Sequence, residues 1–356
     1  MPKESLCAKV PKIHGEKAII LANKLKIVNR ELEIQRDKDF IYIPLVRQPS
    51  ENDLKAFKRQ VPDCEILTYV FPERKKQITT FVELLESKLP PHLLASLPRA
   101  MDFVGDIAII EIPSELNAHK NVIGEAVLKS HKSVRTVLAK AGAVSGTYRL
   151  REFSVIAGEP KTETVHKEYG CQYYVDLAKA YFSPRLSHEH NRVASLVKED
   201  ETVVDLFAGV GPFSILIAKT HENVKVHAID VNPQAVEFLK KNVRLNRVEG
   251  KVHSILGDAK RIVNQRLSGV ADRVIMNLPE KAIEFAETAC EALKPTGGIV
   301  HFYSFVDASN TLDDVKLGFI GAVEKSGRKV EKIVFSRFVR ATAPYEWQAV
   351  LDAEIH

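Results

Sequence analysis

The sequence predicts an α/β protein whose C-terminal half is a doubly wound, mostly parallel sheet, preceded by two smaller α/β modules. Three observations carry this. After about residue 190, short apolar strands alternate with helical segments, which implies parallel pairing through right-handed crossovers. The first of these strands runs into a glycine turn, at the sheet edge where such folds bind ligands. Upstream the hydrophobic pattern changes twice, which divides the chain into 1–70, a mixed module at 77–170, and the wound domain at 171–356. A length of 356 residues, at roughly 150 per domain, suits two or three such units.

In the first module the apolar spacing over 17–28 predicts a helix and 40–45 a strand. The pattern breaks between 69 and 76, where Phe71-Pro72-Glu73-Arg74-Lys75-Lys76 carries a basic cluster. In the second, 84–97 gives short helices around Pro90-Pro91, and 103–113 reads as one half-buried strand ended by Pro113. Another helix follows, with Lys129, His131, Lys132, Arg135 and Lys140 on or near it, then a strand over 148–156. The wound domain is expected to have strands at 202–207, 225–229, 252–256, 274–277 and 298–303, with helices at 213–219, 233–242 and 282–293.

Composition narrows the function. At 45% hydrophobic and 27% charged the chain is ordinary for a soluble protein, and it lacks the run of about 18 apolar residues that a membrane span needs. No apolar signal core follows Met1-Pro2-Lys3-Glu4-Ser5, so a cytoplasmic protein without membrane partners is expected. The net charge of +5 permits an anionic partner without requiring one. Cys7, Cys64, Cys171 and Cys290 lie far apart with no zinc spacing, so free thiols and no metal are expected.

The strand ends carry the chemistry. Asp205-Leu206-Phe207-Ala208-Gly209-Val210-Gly211 joins the first strand to the next helix, and Gly209 and Gly211 let backbone approach a ligand. Ser214 replaces the third glycine of a dinucleotide fingerprint, which counts against NAD binding. Asp230 ends the second strand about 20 residues later, the spacing of a carboxylate that accepts ribose hydroxyls. Gly257-Asp258-Ala259 ends the third and Asn277-Leu278-Pro279-Glu280 the fourth. Each aspartate also suits a helix N-cap.

This set resembles the class I S-adenosylmethionine-dependent methyltransferases, and so implies a Rossmann-like catalytic domain with S-adenosylmethionine as cofactor. By that resemblance the turn formed by Asp205, Phe207, Gly209 and Gly211 lies under the methionine part. Asp230 holds the ribose and Asp258 meets the adenine amino group, while Val231 and Ala259 pack beside the adenine or offer backbone amides. Asn277-Leu278-Pro279 is similar to the Asn-Pro-Pro-aromatic motif that holds a nitrogen being methylated, but no aromatic follows Pro279. Cys290 falls inside a helix rather than at a strand end, which disfavours attack on cytosine carbon 5.

Upstream, Tyr148-Arg149-Leu150-Arg151-Glu152, the run 161–170 and Tyr181-Phe182-Ser183-Pro184-Arg185-Leu186-Ser187-His188-Glu189 closely resemble the archaeal and eukaryotic tRNA (guanine-37, N1 nitrogen) methyltransferase family. The likeness runs from about Phe103 to the C-terminus, and the family's small tRNA-contacting N-terminal module suits 1–70. It implies Glu189 as general base for the N1 proton, Arg149 as stabiliser of charge on O6, Asn277 as the group that places the base, and Tyr181 beside the cofactor. Arg185 and Pro279 fall on the substrate side, and His190 stands beside the cofactor where the family has arginine. Burial is expected to raise the Glu189 pKa towards neutrality. The implied partner is tRNA with guanine at position 37, and the implied state a monomer. Two readings compete: the related aminocarboxypropyl transferase of wybutosine synthesis, and a non-catalytic tRNA-binding protein.

Clusters at Lys55, Lys58 and Arg59, at 74–76, at 129–135 and at 337–340 offer a discontinuous basic face. Affinity for tRNA, measured by filter binding, is therefore expected to fall as salt rises; a flat response would remove RNA from the reading.

Overall fold

A computed structural model describes residues 2–73, 80–98, 100–142 and 146–356. The chain divides into two compact units, 1–79 and 80–356. The basic cluster at 74–76 lies outside the described residues.

The first unit contains β1 (Lys3–Pro11), α1 (Gly15–Lys24), β2 (Gln35–Arg36), β3 (Phe40–Pro44), α2 (Glu51–Gln60) and β4 (Glu65–Phe71). The strands form an antiparallel sheet in the order β2-β3-β1-β4. Ala18, Leu21 and Phe57 from the helices share a core with Val10, Ile41 and Ile43 of the sheet. The helix expected over 17–28 stops at Lys24 because Lys26 turns left-handed at φ 55°, and the Ile27 N–H donates back to the Ala22 carbonyl.

In the second unit α3 (Pro91–Ala95) precedes β5 (Met101–Val104), β6 (Ile107–Ile110), α4 (Lys120–Ser130), β7 (Thr136–Lys140) and β8 (Phe153–Gly158), with sheet order β5-β6-β7-β8. Two expectations are corrected here. The segment read as one strand over 103–113 is a hairpin, because Gly105 at φ 56° folds β6 back on β5. The strand expected over 148–156 starts only at Phe153, which leaves Tyr148 and Arg149 in the preceding turn.

The hairpin β9 (Glu163–Glu168) and β10 (Cys171–Asp176) leads into α5 (Ser187–Leu196). The wound domain follows: β11 (Thr202–Asp205), α6 (Pro212–Thr220), β12 (Lys225–Asp230), α7 (Pro233–Asn246), β13 (Val252–Leu256), α8 (Ala259–Ile262), β14 (Arg273–Met276), α9 (Ala286–Ala292), β15 (Gly298–Asp307), α10 (Leu312–Lys325), β16 (Val330–Ala343) and β17 (Glu346–Ile355). The sheet runs β13-β12-β11-β14-β15-β17-β16 and is parallel from β13 to β15. The long antiparallel pair β16–β17 was not expected from sequence, and its outer strand carries four register shifts.

Strand alternation splits the core between the two faces of the sheet. Val203, Ile275 and Val350 pack with Phe213 and Leu239, whereas Val204, Val274 and Leu351 pack with Ala289 and Phe319. Val104, Ile107 and Leu138 join the first of these clusters, so the upstream sheet shares a core with the wound domain. Among the described residues no helix is long and apolar enough to cross a membrane.

The free edge of β10 is docked by two side chains of α7. Asn242 accepts the Tyr174 N–H at 2.7 Å and donates to the Tyr174 carbonyl at 3.0 Å. One turn on, Asn246 does the same for Gln172, at 2.8 and 2.7 Å. The match is geometric: four helical residues rise about 6 Å and two strand residues about 6.6 Å. Asn242 also donates to the Val210 carbonyl, tying the glycine turn to the same helix. Asn242→Ala leaves three main-chain groups without partners and is expected to cost about 3 kcal/mol, read as a lower denaturant midpoint; an unchanged midpoint would show the clamp to be idle.

Candidate functional site

The strand order reverses between β11 and its two neighbours, β12 and β14, and a cavity of about 310 Å³ opens at the carboxyl ends of these strands. It brings together most of the residues singled out in the sequence: Phe207 and Gly209 after β11, Asp230 and Val231 after β12, Asp258 and Ala259 after β13, and Asn277 and Pro279 after β14. Arg149, Tyr181 and His190 close it from the upstream segments.

The floor is the turn between β11 and α6. Gly209 and Gly211 both take left-handed φ, of 56° and 92°, and a Cβ on Gly211 would lie 2.3 Å from the Leu239 side chain. Asp230 bridges two loops, accepting the Gly209 N–H at 2.7 Å and the Asn232 N–H at 2.8 Å. Burial pushes its pKa up despite those donors. Asp258 lines the cavity and also caps α8, accepting the Arg261 N–H at 3.1 Å. Phe207 meets Phe285 edge-on at 4.9 Å.

The opposite wall is cationic. Arg149 holds a left-handed φ of 55°, unusual for a residue with a side chain, and its guanidinium lies 5.3 Å from the Tyr181 ring centre. Its Nη1 is 3.4 Å from Glu280, close enough for an ion pair but without hydrogen-bond geometry, so among the described residues this buried N–H group has no hydrogen-bond partner. An orphaned donor beside a cavity fits an oxygen ligand. Asn277 accepts from Gln348 at 3.3 Å, and Gln348 accepts from Arg340 at 3.0 Å, which fixes the amide's position. Arg340 and Gln348 line the cavity and were missed as site residues. The sequence signals are the basic cluster 337–340 for Arg340 and, for Gln348, a glutamine beside the apolar run Ala349-Val350-Leu351.

Four of the singled-out residues do not line the cavity: Asp205, Gly211, Arg185 and Glu189. Asp205 lies behind the turn, where Ser214 donates to it at 2.8 Å. Arg185 makes a bidentate pair with Asp102 of β5. Glu189 is 1% exposed and accepts from Arg192 at 3.0 Å, from Tyr303 at 2.9 Å and from Arg337. Burial favours its protonation, but the guanidinium bonds outweigh this and its pKa is lowered. The expected rise is therefore corrected: the sequence reading allowed for desolvation and missed two arginines. His190, beside it, faces the cavity with Nδ1 2.6 Å from Glu168 and its ring edge-on to Phe213. Burial would raise the Glu168 carboxyl, yet His190 at 2.6 Å and His166 at 3.7 Å hold it down at about 2.

Comparison with known proteins places this geometry. The TRM5/TYW2 methyltransferase domain matches residues 164–331, the TYW2 N-terminal domain 81–162 and the tRNA methyltransferase 5 N-terminal domain 7–53. The chain is 36% identical to the tRNA (guanine(37)-N(1))-methyltransferase Trm5b of Pyrococcus abyssi, over 99% of both chains, and the crystal structure of that protein superposes with a TM-score of 0.79. The complex of aTrm5 with tRNALeu is 32% identical, covering 99% of this chain and 100% of that one, with a TM-score of 0.75. A tRNA(Phe) (4-demethylwyosine(37)-C(7)) aminocarboxypropyltransferase of Pyrococcus horikoshii is 33% identical, over 77% of this chain and 95% of its own.

Asp205 supplies a pH test of the turn. Its burial, which the Ser214 bond does not offset, raises the carboxyl from 3.8 to about 7. The folded chain thus keeps a proton that the unfolded chain releases between those values, so this contribution is full below 3.8 and is lost as pH rises towards about 7. Asp205→Asn cannot titrate there, so its urea midpoint relative to the native chain is expected to be higher at pH 8 than at pH 5; equal differences would refute the assignment.

Proposed function

The chain belongs to the TRM5/TYW2 methyltransferase family, and from that premise we propose that it transfers a methyl group from S-adenosylmethionine to the N1 nitrogen of guanine 37 in tRNA. It does so as a cytoplasmic monomer. The observation that carries the reading is a cavity in which the strand-end residues of a nucleoside site, Gly209, Asp230 and Asp258, face Arg149, whose Nη1 has no hydrogen-bond partner among the described residues.

S-adenosylmethionine supplies an electrophilic methyl group when bound. The residues present suit it: Phe207 and Gly209 for the methionine part, Asp230 for the ribose, Asp258 for the adenine amino group, and Val231 and Ala259 beside the ring. Asp205 and Gly211 shape the turn from behind. His190 and Tyr181 close the methionine end. On the substrate side, Arg149 meets O6, where negative charge builds as N1 loses its proton. Asn277, fixed through Gln348, and Pro279 place the base, and Arg185 reaches a phosphate. Glu189 accepts the N1 proton; it is the carboxylate of the first turn of α5, adjacent to His190. In the structure described it is turned into its arginine pairs, so it must leave at least one of them to act.

The test is transfer of labelled methyl to tRNA transcripts carrying guanine or adenine at position 37, followed by nucleoside mass analysis. Only the guanine transcript is expected to react, giving 1-methylguanosine. Glu189→Gln is expected to lose about 10²–10⁴-fold in rate while still binding tRNA and cofactor. Arg149→Ala should also lose rate, and Asp230→Ala should chiefly weaken cofactor binding. A product heavier by an aminocarboxypropyl group, or binding without transfer, would overturn the proposal.

A further inference from the structure

Glu189 is held by two arginines that are not equivalent. Arg192, one helical turn along α5, is anchored elsewhere: it makes a bidentate pair with Asp352 of β17, which is itself paired at 2.6 Å with the buried His301. Its side chain is 18% exposed. Arg337 arrives from β16, the outer strand of the sheet, and its side chain is 45% exposed. Among the described residues its ion pair is with Glu189 alone. The half-exposed Phe335 lies under both guanidinium groups, at 4.6 Å from Arg192 and 5.9 Å from Arg337. Three residues beyond Arg337 on the same strand, Arg340 lines the cavity through its bond to Gln348. One strand therefore links a surface cation on the buried carboxylate to the wall of the site.

We infer that Arg337 is a positioning residue that couples RNA docking to the readiness of Glu189: a backbone phosphate settling beside β16 takes Arg337, and its departure frees the carboxylate to turn into the cavity. This rests on the reading of Glu189 as the base. In the free enzyme the Arg337 pair keeps Glu189 ionised, weakly basic and out of the cavity. A phosphate offers the guanidinium an equally well matched bidentate partner and remains solvated at the surface, so the exchange needs no buried charge to be left bare. Once released and before it turns, Glu189 faces Arg192 from its own helix and Tyr303 from β15, with Asp352 of β17 and His301 of β15 behind Arg192. It has lost one cation but none of its burial, so its affinity for a proton rises. His190, the next residue, is committed to Glu168 and leaves the exchange undisturbed.

The experiment is the pH dependence of methyl transfer by the full chain to a guanine-37 transcript. The acid limb of kcat/KM reports the free enzyme and that of kcat the complex. In the native chain the kcat limb is expected about one pH unit above the kcat/KM limb. Arg337→Gln should lift the kcat/KM limb until the two coincide, Arg337→Lys should restore the separation, and the slope of log affinity against log salt should fall by about one phosphate contact in Arg337→Gln. Coincident limbs in the native chain, an unmoved kcat/KM limb in Arg337→Gln or an unchanged salt slope would overturn the inference. The native separation needs no variant, so the test survives if Arg337→Gln is unstable. Glu189→Gln distinguishes the two failures: full rate there sinks the base itself, whereas lost rate with unmoved limbs in Arg337→Gln sinks the coupling alone.

Discussion

The turn between β11 and α6 is fixed from three directions, and the rest of the site depends on that. Asp205 holds it from behind through Ser214, Asp230 holds the Gly209 amide from the next strand end, and Asn242 holds the Val210 carbonyl from α7. Each contact is a hydrogen bond to a buried or partly buried group, where an unmatched partner would be costly. Burial makes both carboxylates hold their protons more tightly than usual, and at Asp205 the nearby Asp230 charge adds a smaller push in the same direction. A floor held in this way cannot shift without disturbing β12 and α7 together. Asp230 is thus a structural bridge as well as a cavity residue, and α7, through Asn242 and Asn246, carries that rigidity out to the hairpin that precedes α5.

The walls follow a different logic. Around the floor the polar groups are neutral or acidic and fully matched, whereas around the mouth arginines dominate and their pairing is incomplete. Arg149 has a strained backbone and an N–H unmatched among the described residues, and Arg337 keeps nearly half its side chain in water. Strain and unmatched donors persist where the surrounding fold over-determines them, and they concentrate where a ligand completes the set. The molecule therefore separates a well-tied nucleoside platform from a cationic rim whose pairing is incomplete among the described residues.

The sequence makes the platform legible and hides the rim. Gly209, Asp230, Asp258 and Asn277 can be read because each follows directly from a strand end, and strand ends repeat at intervals set by the βαβ unit itself. Gln348 and Arg340 cannot be read in this way. They enter through the β16–β17 pair, which folds back antiparallel beside β15 and has no glycine turn to announce it. The same holds for the partners of Glu189, since Tyr303 and Arg337 lie 114 and 148 residues downstream. Local pattern indicates that a carboxylate will be buried but not which cation will meet it, and here the cation reverses the sign of the pKa shift. The turn at Gly105 was misread for a related reason: two short apolar strands on either side of a tight turn have the same composition as one long strand.

The irregular register of β16 bears on solubility. A strand of 14 residues at the rim of a seven-stranded sheet presents a row of main-chain donors and acceptors that another chain could extend. Four register shifts interrupt that row and add local twist, and the charged Glu331 and Lys332 stand on it. A second copy approaching edge to edge would meet misaligned hydrogen-bonding groups. The strand that lends arginines to the site thus also guards the sheet against growing into an aggregate.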